Sequence, residues 1–111
     1  MKIGAFEELV LLSVSGLGTS AYAVNVQQRI ETVGRREASL GAVYAALDRL
    51  ERKGLLRSKL GPVTHEQGGK KKRFYQITAG GETALDESAS ARLRLASLLE
   101  GPTRIEPGGL R

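Results

Sequence analysis

The chain has 111 residues, of which 41% are hydrophobic and 26% are charged, which predicts one compact globular domain rather than a disordered or two-domain protein. It contains no cysteine, which excludes a disulfide framework, a thiolate nucleophile and a zinc–thiolate site, and suits a reducing cytoplasm. The net charge of +5 indicates an anionic partner, most often nucleic acid.

The predicted elements begin with two helices. Segment 6–17 is apolar on nearly every side, which indicates a helix in the core or at a subunit contact. Its apolar run is short and follows Glu7 and Glu8, so we interpret it as neither a signal peptide nor a membrane span, and we expect a cytoplasmic protein with no membrane partner. Ser20 is the predicted N-cap of a second helix, whose apolar residues recur at three- and four-residue steps as far as Gly34.

A third helix is predicted to follow the N-cap Ser39 and to end near Lys53, where Gly54 stops it. Its apolar stripe consists of Leu40, Val43, Leu47 and Leu50. The opposite face holds Gly41, Ala42, Ala45, Arg49 and Arg52, with Tyr44 on the flank. Small residues allow a helix to approach another surface closely, and arginine binds phosphates and guanine edges. This face predicts a helix that enters the major groove of duplex DNA.

Two strand candidates, 55–60 and 73–77, predict a β-hairpin with a long glycine-rich tip. Four consecutive cations lead into the second strand: Lys70, Lys71, Lys72 and Arg73. This charge density is typical of a wing that follows the DNA backbone. Thr78 is the predicted N-cap of a last helix that extends to about Leu99.

The order of helix, helix, helix, hairpin and helix predicts a mainly α (α+β) fold, a winged helix-turn-helix with three helices, a two-stranded wing and a C-terminal dimerisation helix. We assign residues 1–78 to a winged-helix DNA-binding domain, 79–100 to the dimerisation helix and 101–111 to a flexible tail. A partner chain is expected against the last helix, because a small three-helix core cannot cover its whole apolar face.

The motifs also resemble a known family. The segments SLGAVYAALDRLERKGLL (39–56) and HEQGGKKKRFYQITAGGETAL (65–85) are similar to the recognition helix, basic wing and start of the last helix of PadR-like transcriptional regulators. The similarity extends over about 3–99, with Ala21–Tyr22 where the family usually has Gly-Tyr. The resemblance implies a homodimeric repressor or autoregulator, in which the last helix forms the dimer with help from the first. We expect the homodimer to act as a repressor on a palindromic operator.

Two sets of candidate functional residues follow. Those expected to contact double-stranded DNA are Arg35, Arg36, Ser39, Leu40, Gly41, Ala42, Tyr44, Ala45, Arg49, Lys70, Lys71, Lys72 and Arg73. Those expected at the dimer interface are Phe6, Leu9, Val10, Leu85, Ala89, Leu93, Ala96 and Leu99. We interpret Tyr22, Phe74 and Tyr75 as core aromatics rather than base-stacking platforms.

Sequence-specific regulation of transcription is preferred over two alternatives. The main one is a winged-helix module that docks a protein through its last helix without specific DNA binding. RNA binding is weaker, because single-strand recognition uses exposed aromatic residues and this chain has only five Phe and Tyr. Catalysis is not expected, since the single histidine, His65, lies in a predicted loop and no phosphate-binding loop is present. No metal or cofactor is predicted, and a small-molecule inducer at the dimer interface is left open.

Overall fold

The computed structural model describes residues 2–63 and 71–99. The elements in these residues are α1 (Ala5–Leu17), a 3₁₀ turn (Gly18–Ser20), α2 (Ala23–Thr32), α3 (Leu40–Arg52), β1 (Leu56–Val63), β2 (Lys71–Ile77), α4 (Ala79–Ala96) and a final 3₁₀ turn (Ser97–Leu99). The two strands form an antiparallel sheet. Helices and hairpin therefore follow the predicted order, and the winged helix-turn-helix prediction is confirmed.

The core lies between α1, α2, α3 and the base of the hairpin. Its largest fully buried side chains are Val10, Leu11, Val14, Val26, Val43, Leu47, Leu50 and Leu56. The α3 stripe packs into this core as predicted, except that Leu40 at its first turn is only half-buried. Because the apolar stripe of α3 is narrow, the core covers one side of the helix and leaves the other side in solvent.

The start of α2 differs from the prediction. Ser20 lies in the 3₁₀ turn, and the N-cap of α2 is Tyr22 in an extended conformation. The reason is a contact with the sheet that is distant in sequence: Ala21 is fully buried, and its carbonyl oxygen accepts a 2.8 Å hydrogen bond from the Tyr75 amide. This hydrogen bond ties residue 21 to β2 in a non-helical conformation, and α2 begins at residue 23.

The hairpin is longer than predicted. Leu56 lies opposite Ile77 and Lys59 lies opposite Phe74, and the pairing continues past a register irregularity between Leu60 and Val63. Gly61 and Pro62, which were predicted to lie in the loop after the first strand, are part of β1. The rest of the predicted glycine-rich tip, Lys70 and the predicted tail 101–111 lie outside the described residues. The cations Lys71, Lys72 and Arg73 are part of β2 itself.

A group of backbone contacts fixes the start of α4 against the end of α3. We call Gly54, Leu55, Thr78 and Gly81 the Thr78 clamp. The Thr78 hydroxyl accepts from the Gly81 amide at 3.0 Å and donates to the Gly54 carbonyl at 2.7 Å, while the Thr78 amide donates to the Leu55 carbonyl at 3.1 Å. Gly54 has φ +77°, a conformation that glycine adopts without strain. The predicted N-cap role of Thr78 is confirmed.

Candidate nucleic-acid interface

The solvent side of α3 is made of small residues. Gly41, Ala42 and Ala45 are exposed, and a Cβ atom added to Gly41 would have no atom within 4 Å. The Ser39 hydroxyl caps the helix by accepting a 3.1 Å hydrogen bond from the Ala42 amide. Tyr44, on the flank, is 51% exposed. The predicted free face is therefore present, and another surface can approach the α3 backbone closely.

The predicted cations near this face differ in what they contact. Arg49 Nε lies 3.4 Å from Glu7 Oε2, while its side chain is half exposed. Arg52 forms an exposed 2.7 Å ion pair with Asp48 one turn earlier, which contributes little to stability. Arg35 and Arg36 are exposed in the connection between α2 and α3, and Arg35 has φ +52°.

Glu7, in the first turn of α1, is a buried carboxylate that holds the end of α3. It accepts hydrogen bonds from the Gly4 amide at 2.8 Å and from Lys53 Nζ at 2.9 Å, in addition to the Arg49 contact. Burial raises the pKa of Glu7, but the hydrogen bonds from Gly4 and Lys53 and the charge of Lys53 outweigh burial, so the pKa lies below its usual value. Glu7 is therefore an anion at neutral pH.

Two of the described cations of the wing are connected to the helices beside it. Lys72 Nζ lies 4.1 Å from the centre of the Tyr22 ring, a cation–π contact with the N-cap of α2. Arg73 Nη1 donates to the Ser58 hydroxyl at 3.0 Å, and that hydroxyl donates to Glu51 of α3 at 2.7 Å. Lys71 is exposed. These contacts connect the hairpin to α2 and α3 and give Lys72 and Arg73 defined positions.

The structure brings Tyr44 of α3 and the predicted cations of β2 to one groove, which the other predicted DNA-contacting residues of α3 do not line. This groove, of about 270 Å³, has walls from the start of α2, the exposed flank of α3 and both strands. It is lined by Tyr22, Ala23, Val24, Tyr44, Leu60, Lys71, Lys72 and Arg73. The N-terminal end of a helix attracts anions, and here it lies beside three cations, an arrangement that suits a phosphate of a nucleic-acid backbone.

Of the three aromatic residues interpreted as core groups, Tyr75 lies in the core, whereas Tyr22 and Phe74 lie outside it and contact each other. Tyr75 is buried, and burial, followed by the charge of Glu51, raises its pKa, so the hydroxyl stays neutral at physiological pH. Tyr22 and Phe74 are half-buried, with ring centres 5.6 Å apart in an edge-to-face arrangement. Tyr22 also borders the groove through its contact with Lys72.

The residues predicted for the dimer interface differ in exposure. Val10 is buried in the core of its own chain, the four residues Phe6, Leu9, Leu85 and Ala89 are half-buried, and Leu93, Ala96 and Leu99 are exposed. The end of α4 and the 3₁₀ turn after it also expose Leu95 and Leu98, to 69% and 75%. Leu12 of α1, not among the predicted residues, is 47% exposed, and its three-residue spacing from Leu9 could have identified it.

Glu8, adjacent to Glu7, is a second buried carboxylate. It accepts a 2.9 Å hydrogen bond from the Ser88 hydroxyl and a 2.8 Å ion-paired hydrogen bond from Arg92 Nε, both on α4. Within residues 2–63 and 71–99, there is no cluster of three or more His, Asp or Glu residues that could hold a metal ion. In the same residues, no helix is both long and apolar enough to cross a bilayer.

Comparisons with known proteins agree with this geometry. The sequence model of the transcriptional regulator PadR-like family matches residues 11–87, whereas a comparison with curated proteins finds no match. A PadR-like transcription factor from Bacteroides fragilis superposes with a TM-score of 0.70 at 24% identity over 85% of each chain. A PadR family transcriptional regulator from Eggerthella lenta superposes with a TM-score of 0.65 at 27% identity, over 85% of this chain and 83% of the other. A PadR-like regulator from Bacillus cereus has a TM-score of 0.66 at 23% identity, over 89% and 95%.

Proposed function

The chain belongs to the PadR-like family of transcriptional regulators, and from this premise we propose that it represses transcription as a homodimer bound to a palindromic DNA operator. The observation that carries the proposal is the exposed face of small residues on α3, whose flanking Tyr44 shares a groove with the cations of β2. Action on the DNA of the cell places the protein in the cytoplasm.

DNA contact follows from the shape and charge of this surface. An α-helix fits the major groove, and the absence of large side chains at Gly41, Ala42 and Ala45 lets the α3 backbone approach base edges. The start of α3, at Ser39 and Leu40, then faces a phosphate through its amides. The wing cations Lys70 to Arg73 neutralise flanking phosphates, and Tyr44, Arg35, Arg36 and Arg49 extend the contact on either side.

A homodimer accounts for the apolar surface of α4. The end of α4 and the turn after it expose four leucines, at 93, 95, 98 and 99, and so much apolar surface in so short a segment is unusual on a monomer and typical of an interface. Leu12 of α1 and the half-buried Phe6 and Leu9 extend the proposed contact. A two-fold dimer places two α3 helices in successive major grooves, about 34–36 Å apart on one face of the duplex.

The first experiment is fluorescence anisotropy on the DNA upstream of the gene and on a scrambled duplex, each across a salt series. Tight binding to the upstream DNA alone, with two chains per site, is the expected result. Gly41→Ala tests the role of α3: the added methyl group has space in the protein but fills the gap to the DNA, so affinity for the operator should fall at least tenfold.

Gly80→Ala is the matched control. Gly80 is the second residue of α4, just as Gly41 is the second residue of α3, and both glycines are exposed. A methyl group added to Gly80 would lie 3.7 Å or more from its neighbours. Equal affinity of the two variants, or equal binding of the unmodified protein to both duplexes, would contradict sequence-specific recognition by α3.

The exposed leucines of α4 also support the alternative, a module that docks a different protein and does not bind specific DNA. Static light scattering separates the two. A stable dimer at micromolar concentration supports the homodimeric regulator, whereas a stable monomer without specific DNA binding favours a missing protein partner.

A further inference from the structure

Two neighbouring carboxylates of α1 hold two different helices. Glu7 contacts Arg49 and Lys53 of the α3 end, and Glu8 contacts Ser88 and Arg92 of α4. Successive residues of a helix point about 100° apart, so one turn of α1 reaches α3 on one side and α4 on the other. The side chains of both glutamates are 7% exposed.

The Glu8 contacts are a second attachment of α4. The Thr78 clamp fixes its first turn, and Ser88 and Arg92 lie about 10 and 14 residues beyond Thr78, or about 15 and 21 Å along the axis. Ala84, between the two attachments, is buried, whereas residues 92–99 are all exposed. A helix that is held only at its first turn can change direction, and a second attachment far along its axis prevents this.

We propose that Glu8 is a positioning residue that sets the direction of α4, and thereby the separation of the two α3 helices and the spacing of DNA half-sites that the homodimer accepts. The proposal rests on the proposed function, because α4 must form the contact between the protomers. A buried carboxylate that loses its donors is strongly disfavoured, so conformations in which α4 separates from α1 are poorly populated.

The length of α4 gives the size of the effect. Leu93 is the first of the four exposed leucines at the end of α4. It lies 12 residues beyond Gly81, which is about 18 Å along the helix axis at about 1.5 Å per residue. A change of about 10° in helix direction moves Leu93 by about 3 Å, close to the rise of about 3.4 Å per base pair. Because both protomers move, losing the Glu8 contacts should broaden the accepted half-site spacing by about one to two base pairs.

A distance measurement tests this without DNA. The chain has no cysteine, so Ala45→Cys gives one spin-label site on the exposed face of each α3, and double electron–electron resonance reports the distance between them. We expect a narrow distribution for otherwise unmodified protein and one broadened by several ångströms for Glu8→Gln. Arg94→Ala, which removes an exposed cation of α4 close to Arg92 but no donor to Glu8, should keep the narrow distribution.

Arg92→Ala removes the main donor to Glu8 at a side chain that is 62% exposed, so it provides a second variant if Glu8→Gln does not fold. If the distance distribution between the two spin labels is as narrow in Arg92→Ala, or in a folded Glu8→Gln, as in the otherwise unmodified protein, the proposal is overturned. Absence of any dipolar signal in the unmodified background would show that no dimer forms, and would overturn the proposed function as well.

Selection from a library of random duplexes measures the consequence for DNA. The unmodified protein should enrich paired half-sites of one spacing, and Arg92→Ala should enrich the same half-site with spacings spread over about one to two additional base pairs. Identical spacing distributions would refute the role of Glu8 while leaving the regulator intact. Failure of the unmodified protein to enrich a palindrome would refute the proposed function, and with it the role of Glu8.

Discussion

Replacement by alanine should change the stability of the protein in opposite directions at two adjacent glycines at the start of α4. Both Gly80 and Gly81 are helical, and replacing a helical glycine with alanine stabilises by at most about 1 kcal/mol. At Gly80 the new methyl group would lie 3.7 Å from the Gly54 carbonyl oxygen, an ordinary contact. Gly80→Ala should therefore be neutral or slightly stabilising.

At Gly81 the new methyl group would overlap the Leu55 carbonyl oxygen and lie 2.7 Å from Ile77 Cγ1. The carbonyl cannot move away by a side-chain rotation, and it also accepts the Thr78 amide hydrogen bond. Overpacking of this kind costs about 1–3 kcal/mol, which exceeds the gain in helix propensity. Gly81→Ala should destabilise by about 1–2 kcal/mol, which lowers the Tm by about 5–10 °C for a domain of this size.

Thermal unfolding followed by circular dichroism measures both variants. The chain concentration must be equal in all samples, because dimerisation makes the Tm depend on concentration. A Gly81→Ala protein at least as stable as the unmodified chain would refute the close contact of α4 with Leu55. A loss of stability in Gly80→Ala equal to that in Gly81→Ala would show that the effect is not specific to this contact.

Two further predictions concern charge. Glu7→Gln should destabilise by about 1.5–3 kcal/mol at pH 7, since hydrogen bonds to charged groups contribute about that much. The pKa of Glu7 is depressed in the folded protein, so its contribution to the free energy of unfolding is complete above the usual value of 4.5 and is lost as the pH falls through the folded value. The free energies of unfolding of the variant and the unmodified chain, measured by urea titration, should therefore converge as the pH falls below 4.5. A difference that stays constant with pH would contradict an ionised Glu7. Lys71→Ala should weaken binding to all duplexes alike and reduce the slope of log affinity against log salt by about 1. Arg94→Ala, an exposed cation of α4, should leave that slope unchanged, and an equal reduction in both variants would show that Lys71 makes no specific phosphate contact.

Local sequence patterns were sufficient to predict the order of the helices and strands. The apolar spacing of α3 and the hydroxyls of Ser39 and Thr78 act within a few residues, so their roles follow from the sequence and are present in the structure. The start of α2 was predicted incorrectly because it depends on Tyr75, more than 50 residues beyond Ala21. A hydrogen bond between such distant backbone groups leaves no periodic signal.

The candidate site was predictable only in part: its helical face could be predicted from the sequence, and the contacts of its cations could not. The free face of α3 is the complement of its apolar stripe, so its exposure follows from helical periodicity. The different contacts of the individual cations cannot be predicted from helical periodicity. Lys72 on Tyr22, Arg73 on Ser58 and Arg49 near Glu7 are contacts between separate elements, and their partners appear only once the hairpin and α1 are placed.

The two carboxylates of α1 show why such contacts matter for the function. In the sequence, Glu7 and Glu8 are two acids ahead of an apolar run, and acids in a first turn are explained fully by the helix dipole. In the structure they are buried, with side-chain donors that lie 42 to 84 positions further along the chain. Because Glu7 and Glu8 are neighbours on one rigid turn, they cannot move independently. Any displacement of that turn of α1 therefore acts at the same time on α3, which carries the proposed DNA-reading face, and on α4, which carries the proposed dimer contact.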